Sequence, residues 1–167
     1  MNRVARETVL PVGPSRGRII VSSEVAQRTR NALRESSGEE GEPHEGLVYW
    51  AGRIVELDTY VLAAVLPRCS HGPYRVMADA SAMGDAAAIA RSHRLGIVAQ
   101  VHSHPSDDTR HSDGDDHLIF MPFEGMFSIV VGEYGNGSLD PKHGAGFHQF
   151  QDGRWVRIRP NDEPLLI

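Results

Sequence analysis

The sequence predicts an α/β fold in a single domain, on three observations. A chain of 167 residues with 40% hydrophobic content has the size and composition of one protein core. Strand-like apolar segments and helical segments follow one another along the chain, which is typical of α/β proteins. No internal repeat or low-complexity segment is evident in the sequence. We therefore predict one domain over residues 1–167.

The first predicted elements are a strand and an amphipathic helix. Residues 18–21 form a short apolar segment that predicts a strand. Ser22 or Ser23 is expected to cap a helix that reaches about Ser36, because a serine hydroxyl accepts hydrogen bonds from the free N–H groups of a first turn. The positions at helical spacing that predict its buried stripe are Val25, Thr29, Ala32 and Leu33.

Further strands and a second helix are predicted along the rest of the chain. A loop rich in Gly, Glu and Ser leads to the second group of strands, and an Ala-rich helix ends before Gly96. A hairpin across Asp152-Gly153 closes the chain, since this dipeptide suits a tight turn. The predicted ranges are a loop at 36–43, strands at 47–51, 53–57 and 60–66, a polar loop at 67–73, a helix at 85–93, and strands at 126–131, 147–150 and 154–158.

Two histidines follow a short apolar run that begins at Gly96. Residues 96–101 predict a buried strand, and Pro105 is expected to end it because proline donates no ladder hydrogen bond. If the backbone stays extended to His104, the two-residue period of a strand places His102 and His104 on the same face. The same period predicts Val98 and Gln100 on the histidine face and Ile97, Ala99 and Val101 on the other.

A serine and an aspartate follow at short range. After the polar loop at 106–111, Ser112 is expected to cap a short helix over residues 113–118. Ser112 and Asp115 would then lie one helical turn apart and face the same pocket. The side chains of His102, His104 and Asp115 suit a tetrahedral Zn²⁺ and leave its fourth position for water, as in catalytic zinc sites. Asp113 and Asp116 are rival ligands.

The spacing of these residues resembles the JAMM (MPN+) metalloprotease motif, in its prokaryotic type. His102-Ser103-His104 is followed by seven residues, Ser112, two residues and Asp115. The resemblance covers about residues 20–135, with the motif-bearing core at about 18–135, and implies a JAB/MPN-like (cytidine-deaminase-like) mixed β-sheet flanked by helices. It also implies that His102, His104 and Asp115 bind one Zn²⁺ with an activated water, and that Ser112 stabilises the tetrahedral intermediate.

The resemblance further implies a glutamate that acts as general base. In the family a Glu lies seven residues before a glycine that ends a short apolar strand, and Glu45 and Gly52 have this spacing. Glu42 is the alternative base. Tyr49 and Trp50 stand where the family usually has small residues.

Two classes of function are compatible with this motif. The resemblance implies a zinc-dependent peptidase or isopeptidase that hydrolyses an amide bond after the C-terminal tail of a ubiquitin-like or sulfur-carrier-like protein. The alternative is a non-peptidase MPN scaffold or binding module, or a RadC-like protein linked to DNA metabolism. The complete set of ligand residues favours the peptidase, because non-catalytic MPN relatives tend to lack them.

Charge and composition exclude other functions. A net charge of −5 and a pI near 6.0 argue against a nucleic-acid-binding surface. No apolar stretch is long enough to span a membrane, and the N-terminus lacks the apolar region of a secretory signal, so we expect a cytoplasmic protein. The lone Cys69 rules out an internal disulfide and cysteine ligation of zinc. None of these features specifies an oligomeric state.

The remaining histidines are predicted to have other roles. His111 and His117 lie close to the motif in sequence, and lining the mouth of the site is the alternative to an ordinary surface or core role for them. The others lack partners at ligand spacing and are expected on the surface or in the core: His71, His93, His143 and His148.

Overall fold

The computed structural model describes residues 9–112, 115 and 121–167, which form a nine-stranded mixed sheet with one helix on each face. The predicted α/β class is therefore confirmed. The elements are β1 (Val12–Gly13), β2 (Ile19–Val21), α1 (Ser23–Glu35), β3 (Leu47–Val55), β4 (Asp58–Val65), β5 (Ser70–Gly72), β6 (Arg75–Met77), α2 (Ala80–Ser92), β7 (Gly96–Ser103), β8 (Phe127–Val131), β9 (Gly146–Gln151), β10 (Arg154–Ile158) and β11 (Leu165–Leu166). The strand order of the large sheet is β1-β10-β9-β8-β7-β3-β4-β2-β11, and β5 and β6 form a separate hairpin.

The first helix begins and packs as predicted. Ser22 is its N-cap, and the Ser22 side chain accepts a hydrogen bond from the Val25 N–H. Thr29 and Leu33 are buried, while Val25 and Ala32 are partly buried against the same core. This amphipathic stripe attaches α1 to one face of the sheet, which we call the α1 face.

A buried hydrogen bond joins α1 to the centre of the sheet. Trp50 of β3 is fully buried, and its Nε1–H donates to Thr29 Oγ1 at 2.8 Å. Thr29 Oγ1 in turn donates to the Val25 carbonyl at 2.8 Å. The threonine hydroxyl therefore satisfies the one polar group of a large core side chain.

The substitution Thr29→Val is expected to lower the free energy of unfolding by about 1–3 kcal/mol, because it leaves the buried Trp50 Nε1–H without an acceptor at nearly constant volume. Urea denaturation measures this loss. Thr29→Ser is the matched control, since it keeps the hydroxyl. If valine and serine destabilise the protein equally, the hydrogen bond is not the cause.

Three predictions for the middle of the chain were wrong. The strands predicted at 47–51 and 53–57 are one continuous strand, β3, and the turn follows at Glu56, which has a positive φ of 57°. The loop predicted at 67–73 contains β5, which pairs with β6. Helix α2 begins at Ala80 rather than Asp85, because the side chain of Asp79 caps it by accepting from the Ala82 N–H at 2.7 Å.

Strand β7 lies at the centre of the sheet, between β3 and β8. Leu47 pairs with His102, and Leu47 belongs to the core that contains α2, so His102 lies on that side of the sheet, the α2 face. The predicted facing of Ile97 and Val98 was wrong. The register between β3 and β7 shifts at Trp50/Ala51. Because of this irregularity, Val98 packs in the core on the α1 face and Ile97 packs against the core on the α2 face.

The C-terminal hairpin was predicted correctly. Strands β9 and β10 pair across Asp152 and Gly153, whose φ angles of 53° and 79° fit a type I′ turn. Two edge strands of two residues each, β1 and β11, were not predicted. Within the described part of the chain, neither helix is long and apolar enough to cross a membrane.

Candidate functional site

The side chains of His102, His104 and Asp115 meet at the end of β7. The two histidine Nε2 atoms lie 3.2 Å apart. Asp115 Oδ1 lies 3.1 Å from His102 Nε2, and Asp115 Oδ2 lies 3.4 Å from His104 Nε2. His102 is fully buried and Asp115 is 6% exposed. The three side chains that the spacing predicted to act together therefore form one cluster.

The geometry of this cluster fits a metal ion. Two ligands about 2.1 Å from a tetrahedral zinc ion lie about 3.4 Å from each other. The separations of 3.1–3.4 Å, two of which involve different oxygens of the Asp115 carboxylate, are close to that value. Two imidazole nitrogens and one carboxylate oxygen are also donors that zinc accepts. The cluster can therefore hold a metal ion with three protein ligands.

Backbone groups orient two of the three side chains. His104 Nδ1 lies 2.8 Å from the Asp108 carbonyl oxygen, which accepts the Nδ1 proton and leaves Nε2 directed to the cluster. The Ser112 N–H donates to Asp115 Oδ2 at 2.6 Å. Such outer contacts fix the tautomer and the ring or carboxylate orientation that a metal site needs.

Burial and mutual attraction set the charges of the cluster. Burial alone would raise the pKa of Asp115, but the two imidazoles lower it well below its ordinary value. Burial lowers the pKa of His102 against the attraction of Asp115. Burial also opposes the charging of His104, yet the Asp115 carboxylate and the Asp108 carbonyl raise its pKa. Asp115 is therefore ionised and His102 is neutral, as metal ligands must be, whereas a metal bound at His104 would have to displace a proton from it.

Glu45 lies beside the cluster on the same side of the sheet. Leu47 of β3 pairs with His102 of β7, and the two strands are antiparallel. Glu45 lies two residues before Leu47 and His104 lies two residues after His102, so Glu45 lies across from His104. Its side chain is 8% exposed. The pKa of Glu45 is raised to about 7, mainly because the carboxyl group is buried. The charge of Asp115 adds to this rise, and the charge of His104 opposes it. A buried carboxyl group thus titrates near neutral pH next to the three candidate ligands.

Glu42 occupies a different environment. Its side chain is exposed, and its carboxylate accepts from the Glu40 N–H at 3.1 Å and lies 3.2 Å from His44 Nε2. The backbone of the loop lowers the pKa of Glu42. Glu42 is therefore engaged in its own loop and stays ionised at neutral pH.

Ser112 is half-buried at the point where the chain turns toward Asp115. The Asp115 N–H donates to the Ser112 carbonyl at 3.0 Å, so the two residues are one turn apart as expected. The predicted helix over 113–118 falls largely on residues 113, 114 and 116–118, which lie outside the described residues. The rival ligands Asp113 and Asp116, and also His117, lie there too.

A second loop, not predicted from the sequence, supports the site. Glu133 and Tyr134 both have positive φ angles, 54° and 52°, which non-glycine residues rarely adopt. The Tyr134 N–H donates to the His104 carbonyl at 2.8 Å, and the Tyr134 hydroxyl donates to the Pro73 carbonyl at 2.9 Å. The tyrosine therefore connects His104 to the β5–β6 hairpin. Strained backbone of this kind clusters at functional sites.

The other histidines of the described chain have surface or core positions. His111 does not line the mouth of the site, because it is 1% exposed and stacks on the fully buried His148. His71 is exposed, as expected, and its Nδ1 lies 2.8 Å from His44 Nδ1, a contact that attaches the β5–β6 hairpin to the segment before Glu45. Both contacts join residues far apart in sequence, which ligand spacing does not reveal.

Comparison with known proteins relates this fold to other chains. The solution structure of a protein from Desulfitobacterium hafniense is 15% identical over 89% of this chain and 91% of its own, with a TM-score of 0.64. A protein from Salinibacter ruber with a known solution structure is 19% identical in sequence, over 87% of this chain and 94% of its own chain, with a TM-score of 0.56. At these identities the likeness concerns the fold alone. No curated protein matches the sequence.

The family is established by sequence. The family described as prokaryotic homologs of the JAB domain matches residues 24–141, which include Glu45 and the cluster of His102, His104 and Asp115. The match covers most of the chain, in agreement with the resemblance inferred from the motif. The chain therefore belongs to the prokaryotic homologs of the JAB domain.

Proposed function

We propose that this protein is a zinc-dependent peptidase or isopeptidase, in which His102, His104 and Asp115 hold the metal. The observation that carries the proposal is the set of donor separations, 3.1–3.4 Å, beside a buried carboxyl group. The family match supports it at a coarser level, since JAB domains include peptidases and non-catalytic members. A zinc ion bound there supplies Lewis-acid chemistry that acidifies water and polarises a carbonyl group.

Glu45 is the proposed general base and acid. Its carboxyl group, whose pKa burial raises to about 7 in the metal-free protein, is suited to both roles near neutral pH. Glu45 accepts a proton from the attacking water at one carboxylate oxygen and then delivers it to the leaving amine nitrogen, so the group returns to its starting state. Glu42 is less suited, because its carboxylate is exposed and contacts its own loop.

Ser112 is the proposed oxyanion stabiliser. Its hydroxyl lies on the turn that carries Asp115, where a donor hydrogen bond to the developing charge lowers the barrier if it is already positioned. The substitution Ser112→Ala is expected to reduce kcat by roughly a hundredfold while zinc content stays at one per chain. Steady-state kinetics with metal analysis measure both. Loss of zinc together with activity would assign Ser112 to holding Asp115 instead.

The proposed substrate is the amide bond after the C-terminal tail of a ubiquitin-like or sulfur-carrier-like protein. The similarity of the motif to JAMM peptidases supports this class. The proposed location is the cytoplasm, and nucleic acid is not a proposed partner because of the net charge of −5.

The competing proposal is a non-peptidase MPN binding module or a RadC-like protein. A cleavage assay separates the two classes. Ubiquitin-like proteins whose tails carry a C-terminal extension are incubated with the zinc-loaded protein, with and without a chelator. Cleavage after the terminal glycines that the chelator abolishes supports the peptidase. Absence of cleavage from all such tails, by a protein that retains zinc, would favour the binding module.

A further inference from the structure

A row of buried polar side chains crosses the sheet next to the metal cluster. Gln100 of β7 pairs with Ser128 of β8, and Ser128 pairs with His148 of β9. All three are fully buried, and Gln100 Nε2–H donates to Ser128 Oγ at 2.9 Å. Burying polar groups is unfavourable unless hydrogen bonds satisfy them, so the row requires a specific polar partner.

His111, on the loop that covers this part of the α2 face, is a polar partner of one member of this row, Ser128. Its Nε2 lies 2.9 Å from Ser128 Oγ. Its ring stacks on the ring of His148, with the two centroids 4.0 Å apart and an angle of 27° between the planes. The rings of His111 and Trp155 form a T-shaped contact, with their centroids 5.3 Å apart. Burial holds the pKa of His148 well below its ordinary value, so His148 is a neutral stacking surface.

Other parts of the loop between His104 and Ser112 are also attached to the rest of the protein. The Asp108 carbonyl accepts from His104, as described above. Thr109 Oγ1 donates to the Gly144 carbonyl at 2.7 Å, and a Cβ on Gly146 would overlap the Thr109 carbonyl oxygen. This close approach of two backbones requires a glycine at 146. His111 is therefore the last of these attachments before the chain reaches Ser112.

Because Ser112 follows His111 in the chain, the position of His111 affects where the Ser112 N–H lies. The Ser112 N–H follows His111 directly and donates to Asp115 Oδ2. His102 and His104 sit at the end of a central strand, whereas Asp115 reaches the cluster from a single turn after Ser112. A ligand on such a turn depends on outer contacts for its orientation more than a ligand on a strand does.

We infer that His111 is a positioning residue for the metal site: held by Ser128 and His148, it fixes the Ser112 N–H that aims the Asp115 carboxylate at His102 and His104. This inference rests on the proposed function, since it concerns how the same site is kept ready for its metal. It assigns a role to a side chain that is not one of the candidate metal ligands.

Four variants test the inference. His111→Phe keeps a flat ring but removes the hydrogen bond to Ser128. His111→Gln places an amide nitrogen close to the position of Nε2 and is the conservative replacement. Ser128→Ala removes the partner hydroxyl with the loss of one oxygen atom. His93→Phe, at an exposed histidine that ends α2, is the matched control.

Two measurements go beyond activity: zinc affinity by competition with a chelator, and the visible absorption spectrum of the Co²⁺-loaded protein. His111→Phe is expected to weaken zinc binding by about tenfold to a hundredfold and to alter the cobalt spectrum, as for other outer contacts of metal ligands. Ser128→Ala should also weaken zinc binding and alter the cobalt spectrum. His111→Gln and His93→Phe should remain close to the wild type. A purely structural role would lower thermal stability but leave affinity and spectrum of the folded protein unchanged.

Zinc affinity and a cobalt spectrum equal to wild type in His111→Phe would overturn the inference while the proposed function stands. If His111→Phe does not fold, Ser128→Ala decides in the same way, and wild-type affinity in that variant overturns the inference. Wild-type protein that binds neither Zn²⁺ nor Co²⁺ would overturn the proposed function itself, and the inference with it.

Discussion

Replacing Glu45 with glutamine is expected to abolish amide hydrolysis while the protein keeps its metal. Glutamine has nearly the same size and fills the same buried position, but its side chain neither accepts nor releases a proton at neutral pH. Loss of a general base and acid typically lowers the rate by about 100- to 10,000-fold. The measurement is kcat for cleavage of a tail-extended ubiquitin-like protein, together with zinc content per chain.

Glu42→Gln is the matched control for this experiment. Glu42 lies three residues earlier, is exposed, and makes its contacts within its own loop, so its replacement is expected to leave kcat close to wild type. An active Glu45→Gln protein with an inactive Glu42→Gln protein would move the base to Glu42. If both variants are active, neither glutamate transfers the proton.

Metal-free protein provides an independent check on the burial of Glu45. Its pKa of about 7 in the folded protein lies above the ordinary value of 4.5, so the folded state binds the proton more tightly than the unfolded state. Its contribution to stability is therefore present below pH 4.5 and is lost as the pH rises through 7. The metal-free Glu45→Gln variant should lose less stability than wild type over this range, as urea denaturation at each pH measures.

The candidate ligands were predictable because their motif is short and local. His102 and His104 follow an apolar run and share one face of an extended segment, and Asp115 lies one turn after Ser112. These relations depend on the period of a strand and of a single turn, which the sequence carries directly. The helix α1 was predictable for the same reason, since its cap and its stripe are local.

The contacts that escaped prediction depend on distant parts of the chain. The irregularity that exchanges the facing of Ile97 and Val98 arises from pairing with β3, more than 40 positions earlier in the sequence. The stack of His111 on His148 joins a loop to a strand that follows it much later. The start of α2 was missed because Asp79 and Gly84 are typical of loops, although Asp79 is here an N-cap.

Replacing His104 with alanine is expected to remove both the metal and the activity. His104 is the least buried of the three candidate ligands, with 13% of its side chain exposed, so its truncation leaves a smaller cavity than truncation of the fully buried His102. The variant retains one imidazole and the Asp115 carboxylate, and two protein ligands hold zinc far more weakly than three. Zinc content after gel filtration should fall from about one per chain to near zero.

Thermal unfolding separates loss of the metal from loss of the fold. A ligand that binds only the folded state raises Tm, and the rise grows with the logarithm of its affinity, so added zinc should raise the Tm of wild type and of His93→Ala but not that of His104→Ala. A His104→Ala protein that unfolds cooperatively, and that zinc does not stabilise, has lost the site and kept the fold. If this protein still cleaved the tail substrate, the reaction would not depend on the metal cluster. Zinc stabilisation equal to wild type in His104→Ala would place the metal elsewhere in the chain.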